Sequence, residues 1–366
     1  MPDKKSYPLE YAAAVHPGLE KVSAQEIAAR LPGARVLEQH RGWVVFHYPG
    51  DASDLLELRT TEDVFALLYR TTDLPTNRGA GIPLLNRMAQ RSRYWDQAMT
   101  AFYQARRKTV KRVTYRVVAQ MTGKLGYRRQ EVRDAVLSGV AARWNRWKPV
   151  ADDAHIEIWA PVVNQRALLA VRLSDHRMRH RSYKQEHLPA SLRPTLAAAM
   201  VFLSRPRPGD RFCDPMCGAG TILAERALAG EYRQLLGGDL DPAAVQASLA
   251  NLAPWCRPSV ATNRDCVVHQ WDARALAVRS GSLDVVVSNL PFGEQIGSHE
   301  ENPALYRDVL REVGRVLHPG GRAVLLSSEK DLMRQLLHDE PVLHMERQIL
   351  VGVLGRAARI YALRRY

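Results

Sequence analysis

The sequence predicts an α/β protein in which a doubly wound parallel sheet follows smaller α+β units. From Pro194 onward, short apolar strands alternate strictly with helical stretches, a pattern typical of a parallel sheet covered by helices on both faces. Two final strands, 347–354 and 357–365, are separated only by Gly355-Arg356. A connection this short predicts an antiparallel hairpin at the end of the chain.

The first part of the 366-residue chain has the pattern of a separate small unit. Predicted strands and helices follow in the order β-α-β-β-α-β, which fits a ferredoxin-like α+β unit over residues 1–74. The predicted elements are strand 9–15, helix 18–31, strands 34–39 and 42–48, a capped helix at 51–60, and strand 64–70.

A second α+β unit is predicted over residues 75–174. The stretch PTNRGAGIP (75–83) is rich in Gly and Pro and therefore predicts a boundary. The polar, weakly periodic residues 175–189 predict a linker to the C-terminal domain, 190–366. Within the second unit we expect a helix at 97–108, a strand at 112–120, a basic loop at 121–129, a helix at 130–147, and strands at 154–162 and 166–174.

Several functional classes are disfavoured by composition. The longest apolar stretch, LAAAMVFL (196–203), is too short to span a membrane, and the N-terminus MPDKKSYPLEY lacks the apolar core of a signal peptide. We therefore expect a cytoplasmic protein. The four cysteines form no Cys-x-x-Cys pattern and have no nearby His pair, so we expect reduced thiols and no metal site.

Positive charge is concentrated in one segment. The net charge is +14, and residues 91–148 carry 15 Lys/Arg against three Asp/Glu. A block of one sign predicts a polyanionic partner: nucleic acid, with a membrane surface as the main alternative. The candidate phosphate-binding residues are Arg106, Arg107, Lys111, Arg128 and Arg129.

A glycine-containing loop, FCDPMCGAGT (212–221), lies at the first strand–helix junction of the C-terminal sheet. Gly218 and Gly220 allow a ligand to approach the backbone where a helix begins. Leu223 occupies the third glycine position of a dinucleotide fingerprint, and no Gly-Lys-Ser/Thr follows to make a P-loop. The loop alone is a weak indication of nucleotide binding.

Three acids, Asp214, Asp239 and Asp272, end the first three strands of this predicted sheet. Each alone is equally well explained as a helix cap. Together they converge on the crevice at the carboxyl edge, where Asp239 has the spacing to reach a ribose hydroxyl and Asp272 can accept from an adenine amino group. The acids favour a cationic ligand over a pyrophosphate. S-adenosylmethionine, an adenosine that carries a sulfonium, has this chemistry.

The stretch SNLPFGEQ (288–295) follows the buried strand LDVVV. It has a plain structural explanation, because Asn, Pro and Gly all favour turns. Its position at the same edge as the acids favours a catalytic role. The Asn289 oxygen and the Leu290 carbonyl can each accept an amine N–H, Pro291 stiffens the turn, and Phe292 offers a face for base stacking.

Residues 190–366 resemble the class I S-adenosylmethionine-dependent methyltransferases, since DPMCGAGT, GGDLD, WDA and NLPFG occur in that order before a C-terminal hairpin. DPMCGAGT with NLPFG is more specifically similar to the TrmN-like, THUMP-containing tRNA guanine-N2 methyltransferases. YRVVAQMTGKLGYRRQEVRDAVLSGV looks like part of a THUMP domain, and HRSYK (180–184) with LRPTLAAAM (192–200) is also similar. Leu290 departs from the second Pro of many amino-methyltransferases, although relatives in this group also have Leu.

The resemblance implies N2-methylation of a tRNA guanosine in the acceptor stem, with S-adenosylmethionine as cofactor. The implied catalytic residues are Asn289, Leu290, Pro291 and Phe292. The implied cofactor contacts are Thr195, Asp214, Met216, Gly218, Ala219, Gly220, Asp239, Leu240, Asp272, Ala273 and Asn289. Methylation of ribosomal RNA guanine or DNA adenine, and an inert RNA-binding protein, remain open as alternatives.

Overall fold

The computed structural model describes residues 8–107, 112–189, 191–256, 265–292, 302–353 and 355–366. The chain divides into two compact units. The first contains Met1–Val15 and Ala24–Met178, and the second contains His16–Ser23 and Arg179–Tyr366. Among the described residues, every helix is too short or too polar to cross a membrane.

The first unit is built on one eight-stranded sheet, in the order β2-β3-β1-β4-β8-β7-β5-β6. Its first four strands have the antiparallel order of a ferredoxin-like unit. The strands of this unit are β1 (Glu10–Val15), β2 (Arg35–His40), β3 (Trp43–His47), β4 (Thr61–Thr71), β5 (Thr114–Thr122), β6 (Lys148–Pro149), β7 (Ile156–Val163) and β8 (Arg166–Arg172).

The first unit contains α1 (Glu20–Arg30) from Ala24 onward. Its other helices are α2 (Arg78–Arg91), α3 (Trp95–Arg106) and α4 (Arg129–Arg143). Two sequence expectations need correction. The helix expected at 51–60 is a short 3-10 helix, Ala52–Glu57. The boundary expected at 75–83 overlaps α2, because the Asn77 side chain accepts from the Ala80 N–H and caps a helix that contains Pro83.

The predicted domain border at residue 74 falls within one continuous sheet. β4 pairs antiparallel with β8, and Asp63 on β4 accepts hydrogen bonds from Arg172 Nε (2.6 Å) and Ser174 Oγ (2.7 Å). The segments 1–74 and 75–174 thus share one sheet, and their division into separate domains stays a prediction.

The second unit confirms the predicted doubly wound sheet. Its strand order is β11-β10-β9-β12-β13-β15-β14, parallel as far as β13. The final two strands form the predicted antiparallel hairpin. The strands are β9 (Arg211–Asp214), β10 (Gln234–Asp239), β11 (Asp265–Gln270), β12 (Leu283–Asn289), β13 (Leu317–Ser327), β14 (Leu343–Val353) and β15 (Arg356–Arg365).

Helices cover both faces of this sheet. They are α5 (Pro194–Leu203), α6 (Thr221–Leu228), α7 (Pro242–Leu252), α8 (Asn302–Val316) and α9 (Lys330–Asp339). Strand periodicity explains the two layers: Val285 and Val287 of β12 belong to the core with α5 and α6, whereas Val286 between them belongs to the core with α8 and α9.

The expectation of four reduced thiols is wrong for one pair. Cys256 and Cys266 form a disulfide across ten residues, whereas Cys213 and Cys217 are free and buried. The sequence pattern did not reveal the pair because only the fold brings the end of α7 next to the start of β11.

Candidate active site

The loop after β9 leaves the carboxyl edge of the sheet and leads directly into α6. Gly218 and Gly220 have φ values of +51° and +74°, which disfavour other residues. A Cβ on Gly220 would lie 2.6 Å from Ser248 Oγ, so this glycine permits close packing on α7. A Cβ on Gly218 would meet no atom within 4 Å, so the backbone there is accessible to a ligand.

Asp214 is buried at the end of β9. Its Oδ1 accepts from Ser288 Oγ (2.8 Å) and from the Met216 N–H (3.3 Å). Burial raises the pKa of this carboxyl to about 7, and the charge of Asp239 adds a smaller increase. The two hydrogen bonds act in the opposite direction and lower this pKa. A cationic ligand at this edge would therefore favour the ionised form.

Asp239 ends β10 and holds the glycine loop. Its Oδ2 accepts from the Gly218 N–H at 2.9 Å, and its Oδ1 accepts from the Asp241 N–H at 3.1 Å. Each carboxylate oxygen can accept a further hydrogen bond, which leaves capacity for a ribose hydroxyl. The next residue, Leu240, is 64% exposed and provides an apolar surface beside this carboxylate.

Asp272 has a partner that sequence reasoning missed. Its two oxygens bind the Arg274 guanidinium, the shortest contact being 2.7 Å from Nη2 to Oδ2. These hydrogen bonds hold the pKa of Asp272 below its usual value. The side chain is thus already engaged, and an adenine amino group would have to share it with Arg274. Neighbouring Trp271 donates from Nε1 to the Pro215 carbonyl at 3.0 Å.

The NLPF turn leaves β12 beside β9, where the strand order reverses. The Asn289 Oδ1 atom is buried and has no hydrogen-bond partner among the described residues. Leu290 is buried and donates its N–H to the Leu326 carbonyl at 3.0 Å. Phe292 is partly buried against the core that contains α5 and α6. A buried acceptor without a donor costs free energy, which favours a substrate-binding role for Asn289.

Tyr306 on α8 fixes this turn. Its hydroxyl donates to the Pro291 carbonyl at 2.7 Å and also bonds Ser327 Oγ at 3.0 Å. The Asn302 side chain approaches the same carbonyl at 3.5 Å. Sequence reasoning did not predict this contact, because Tyr306 appears there only as an apolar position of an amphipathic helix.

The remaining predicted contacts are distributed around the loop. Thr195 is buried near the start of α5, Ala219 and Ala273 are buried, and Met216 is partly buried against the core with α8 and α9. Hydrogen bonds join Met216 to Asp214 and Gly218 to Asp239, while ligand contacts by the full predicted set remain a prediction.

The predicted RNA-binding residues differ in their surroundings. Arg107 at the end of α3 and Arg128 and Arg129 at the start of α4 are exposed. Arg106 is partly buried and binds the Ser174 carbonyl and Asp175, so its charge is used within the protein. Lys111 lies outside the described residues.

The site fits an adenosyl ligand that carries a positive charge. Five groups lie at the carboxyl edge around the switch point: the accessible backbone at Gly218, the carboxylates of Asp214 and Asp239, the exposed Leu240, and the Asn289 oxygen, which has no partner within the described part of the chain. Sheet and site together have the arrangement that the sequence motifs predict for a class I methyltransferase domain.

Residues 181–354 match the family model described as UPF0020, RMKL-like, methyltransferase domain. The chain is 29% identical over 358 residues to the tRNA (guanine(6)-N2)-methyltransferase of Thermus thermophilus, covering 96% of this chain and 98% of the relative. It is 32% identical over 239 residues to mouse tRNA (guanine(6)-N(2))-methyltransferase THUMP3, covering 62% of this chain and 46% of the relative. The chain thus matches about half the length of this mammalian relative.

The fold comparison agrees. The crystal structure of TrmN from Thermus thermophilus superposes with a TM-score of 0.78 at 24% identity, covering 98% of this chain and all of that chain. The resemblance to TrmN-like methyltransferases expected from the motifs is therefore confirmed, as is the methyltransferase sheet, and the domain match agrees with S-adenosylmethionine as cofactor.

Replacing Asp239 with alanine should weaken S-adenosylmethionine binding by about 1.5–3 kcal/mol, because the loop loses the acceptor of the Gly218 N–H and the ligand loses a charged acceptor. Calorimetry measures this change. Asp241→Ala is the matched control, since that side chain caps α7 by accepting from the Ala243 N–H. Equal affinity in the wild type and the Asp239 variant would refute the role of Asp239.

Replacing Tyr306 with phenylalanine should slow methyl transfer about tenfold without changing S-adenosylmethionine affinity, because one hydrogen bond that positions the Pro291 turn is lost. Tyr361→Phe removes a buried hydroxyl that has no partner among the described residues and should leave the rate unchanged. Single-turnover rates compare the two variants. Equal rates would show that the Tyr306 hydroxyl does not position the turn.

Proposed function

We propose that this protein transfers a methyl group from S-adenosylmethionine to the exocyclic N2 amine of a guanosine in tRNA, giving N2-methylguanosine. The names of the relatives specify guanine 6 of tRNA, and we propose that the target of this protein lies in the acceptor stem. The observation that carries the chemistry is the buried Asn289 oxygen, which has no hydrogen-bond partner in the part of the chain that the structure describes.

The guanine amine is a poor nucleophile because its lone pair is delocalised into the ring. Asn289 Oδ1 and the Leu290 carbonyl each accept a hydrogen bond from one N–H of this amine, and these bonds orient its lone pair. Tyr306 keeps Pro291 in place, and Phe292 stacks on the base. Asn289 is neutral and is no strong base, so the proton leaves to water after transfer.

The cofactor would be held by the glycine loop with Asp214, Asp239 and the surroundings of Leu240 and Asp272. When bound, S-adenosylmethionine supplies an electrophilic methyl group on a sulfonium. A paired guanosine must leave the stem to present its amine for in-line attack, which costs a few kcal/mol of unstacking and unpairing. Stacking on Phe292 offsets part of this cost.

The N-terminal unit would hold the tRNA. We assign residues 1–74 to a ferredoxin-like domain and 75–174 to a THUMP domain, joined by the linker 175–189 to the methyltransferase domain 190–366. The exposed Arg107, Arg128 and Arg129 support phosphate binding within the basic segment. A cytoplasmic location suits such an enzyme.

The test uses purified protein, S-adenosylmethionine with a labelled methyl group, and a tRNA transcript with guanosine at position 6. Nucleoside mass spectrometry should find label in N2-methylguanosine. A matched transcript with adenosine at position 6, paired to preserve the stem, should stay unlabelled. Label in N6-methyladenosine, or in neither transcript, would overturn the proposal, and equal label in both transcripts would overturn position 6 as the target.

A further inference from the structure

The segment Arg181–Glu186, which contains most of the HRSYK motif, is docked on the methyltransferase fold. Arg181 Nε and the Tyr183 hydroxyl bind Glu225 Oε1 at 3.2 and 2.8 Å. Glu225 is buried on α6, the helix that follows the glycine loop. This segment therefore holds the helix on which the cofactor loop ends.

Asn251 on α7 connects the same segment to the loop itself. Its Oδ1 accepts from the N–H groups of Gln185 (2.8 Å) and Glu186 (2.9 Å). Its Nδ2 donates to the carbonyls of Glu186 (3.0 Å) and Ala219 (2.9 Å). The side chain is completely buried, and all four of its hydrogen-bonding positions are used.

The rest of α7 also packs on the loop. A Cβ on Gly220 would lie 2.6 Å from Ser248 Oγ and 3.1 Å from Leu252 Cδ1. Ser248 Oγ contacts Cys217 Sγ at 3.6 Å. The loop therefore cannot shift towards α7, and the Asn251 amide fixes the orientation of its Ala219 peptide.

We propose that Asn251 is a positioning residue that couples docking of Arg181–Glu186 to binding of S-adenosylmethionine. This inference depends on the proposed function, because it assigns a role in cofactor binding. Docking orders the loop for the cofactor, and the bound cofactor in turn stabilises the docked segment, since coupling between two binding events is reciprocal.

The first experiment compares full-length Asn251→Asp with Gln185→Ala by calorimetry, well below their unfolding temperatures. Aspartate keeps an acceptor for Gln185 and Glu186 but places a carboxylate against the Ala219 carbonyl. We expect S-adenosylmethionine to bind about tenfold more weakly. Gln185 reaches Asn251 through its backbone N–H, and its side chain is exposed, so its alanine variant should bind as the wild type does.

The second experiment needs no variant. Saturating S-adenosylmethionine should slow hydrogen exchange of wild-type peptides that contain the Gln185 and Glu186 amides. This measurement decides the question if Asn251→Asp does not fold. Unchanged exchange, or unchanged affinity in a folded Asn251→Asp, would overturn the coupling alone. Failure of the wild type to bind S-adenosylmethionine would instead overturn the proposed function.

Discussion

Replacing Asn289 with alanine should reduce methyl transfer by about 10²–10³-fold, the effect of removing one preorganised polar group from a reaction centre. The expected loss is in the rate and not in S-adenosylmethionine affinity. The Asn289 oxygen is buried without a donor among the described residues, so it is available to a substrate amine, whereas the glycine loop is held by Asp239 and Asn251. Single-turnover kinetics at saturating tRNA and cofactor measure the rate of methyl transfer.

Asn289→Asp separates two explanations. It keeps an acceptor at the same place, so it should retain more activity than the alanine variant if accepting the amine hydrogens is the main role. A near wild-type rate for Asn289→Ala would exclude this asparagine from the reaction. A loss confined to cofactor affinity would make it a binding residue only.

Binding of tRNA should fall steeply with salt, because each neutralised phosphate releases counterions. Replacing Arg107, Arg128 and Arg129 together with glutamine should reduce the slope of log K against log salt concentration by about two to three. All three residues are exposed. Filter binding at several salt concentrations measures the slope.

Arg106→Gln is the matched control. Arg106 lies in the same segment but binds Ser174 and Asp175 within the protein, so its loss should leave the slope unchanged and only lower stability. If the triple variant keeps the wild-type slope, the exposed arginines form a solvated surface and do not bind tRNA.

Local patterns were sufficient to predict the methyltransferase sheet. Alternating strands and helices specify a parallel sheet, and the two-residue connection before β15 allows only a hairpin. The acids and NLPF were placed at one edge because parallel strands all end there. In the N-terminal unit, the sequence does not predict the start of α2, because Gly and Pro in PTNRGAGIP indicate a boundary more strongly than Asn77 indicates a helix cap.

The contacts that support the site were beyond such reasoning. Three contacts depend on the direction of one side chain: Arg274 with Asp272, Tyr306 with the Pro291 carbonyl, and Asn251 with the Ala219 carbonyl. A sequence period specifies which face of a helix is buried, but it does not specify which polar atom on that face meets a given carbonyl. Asn251 and Tyr306 therefore looked like ordinary helix residues.

The pairing of β4 with β8 has a consequence for how the N-terminal unit can be divided. A fragment that ends near residue 74 would expose the backbone edge of β4, which carries Phe65 and Leu67. It would also leave the buried Asp63 carboxylate without Arg172 and Ser174. Open apolar strand edges pair between molecules and lead to aggregation. During synthesis β4 cannot pair with the whole of β8 until residue 172 has left the ribosome, so the nascent chain exposes this edge until then.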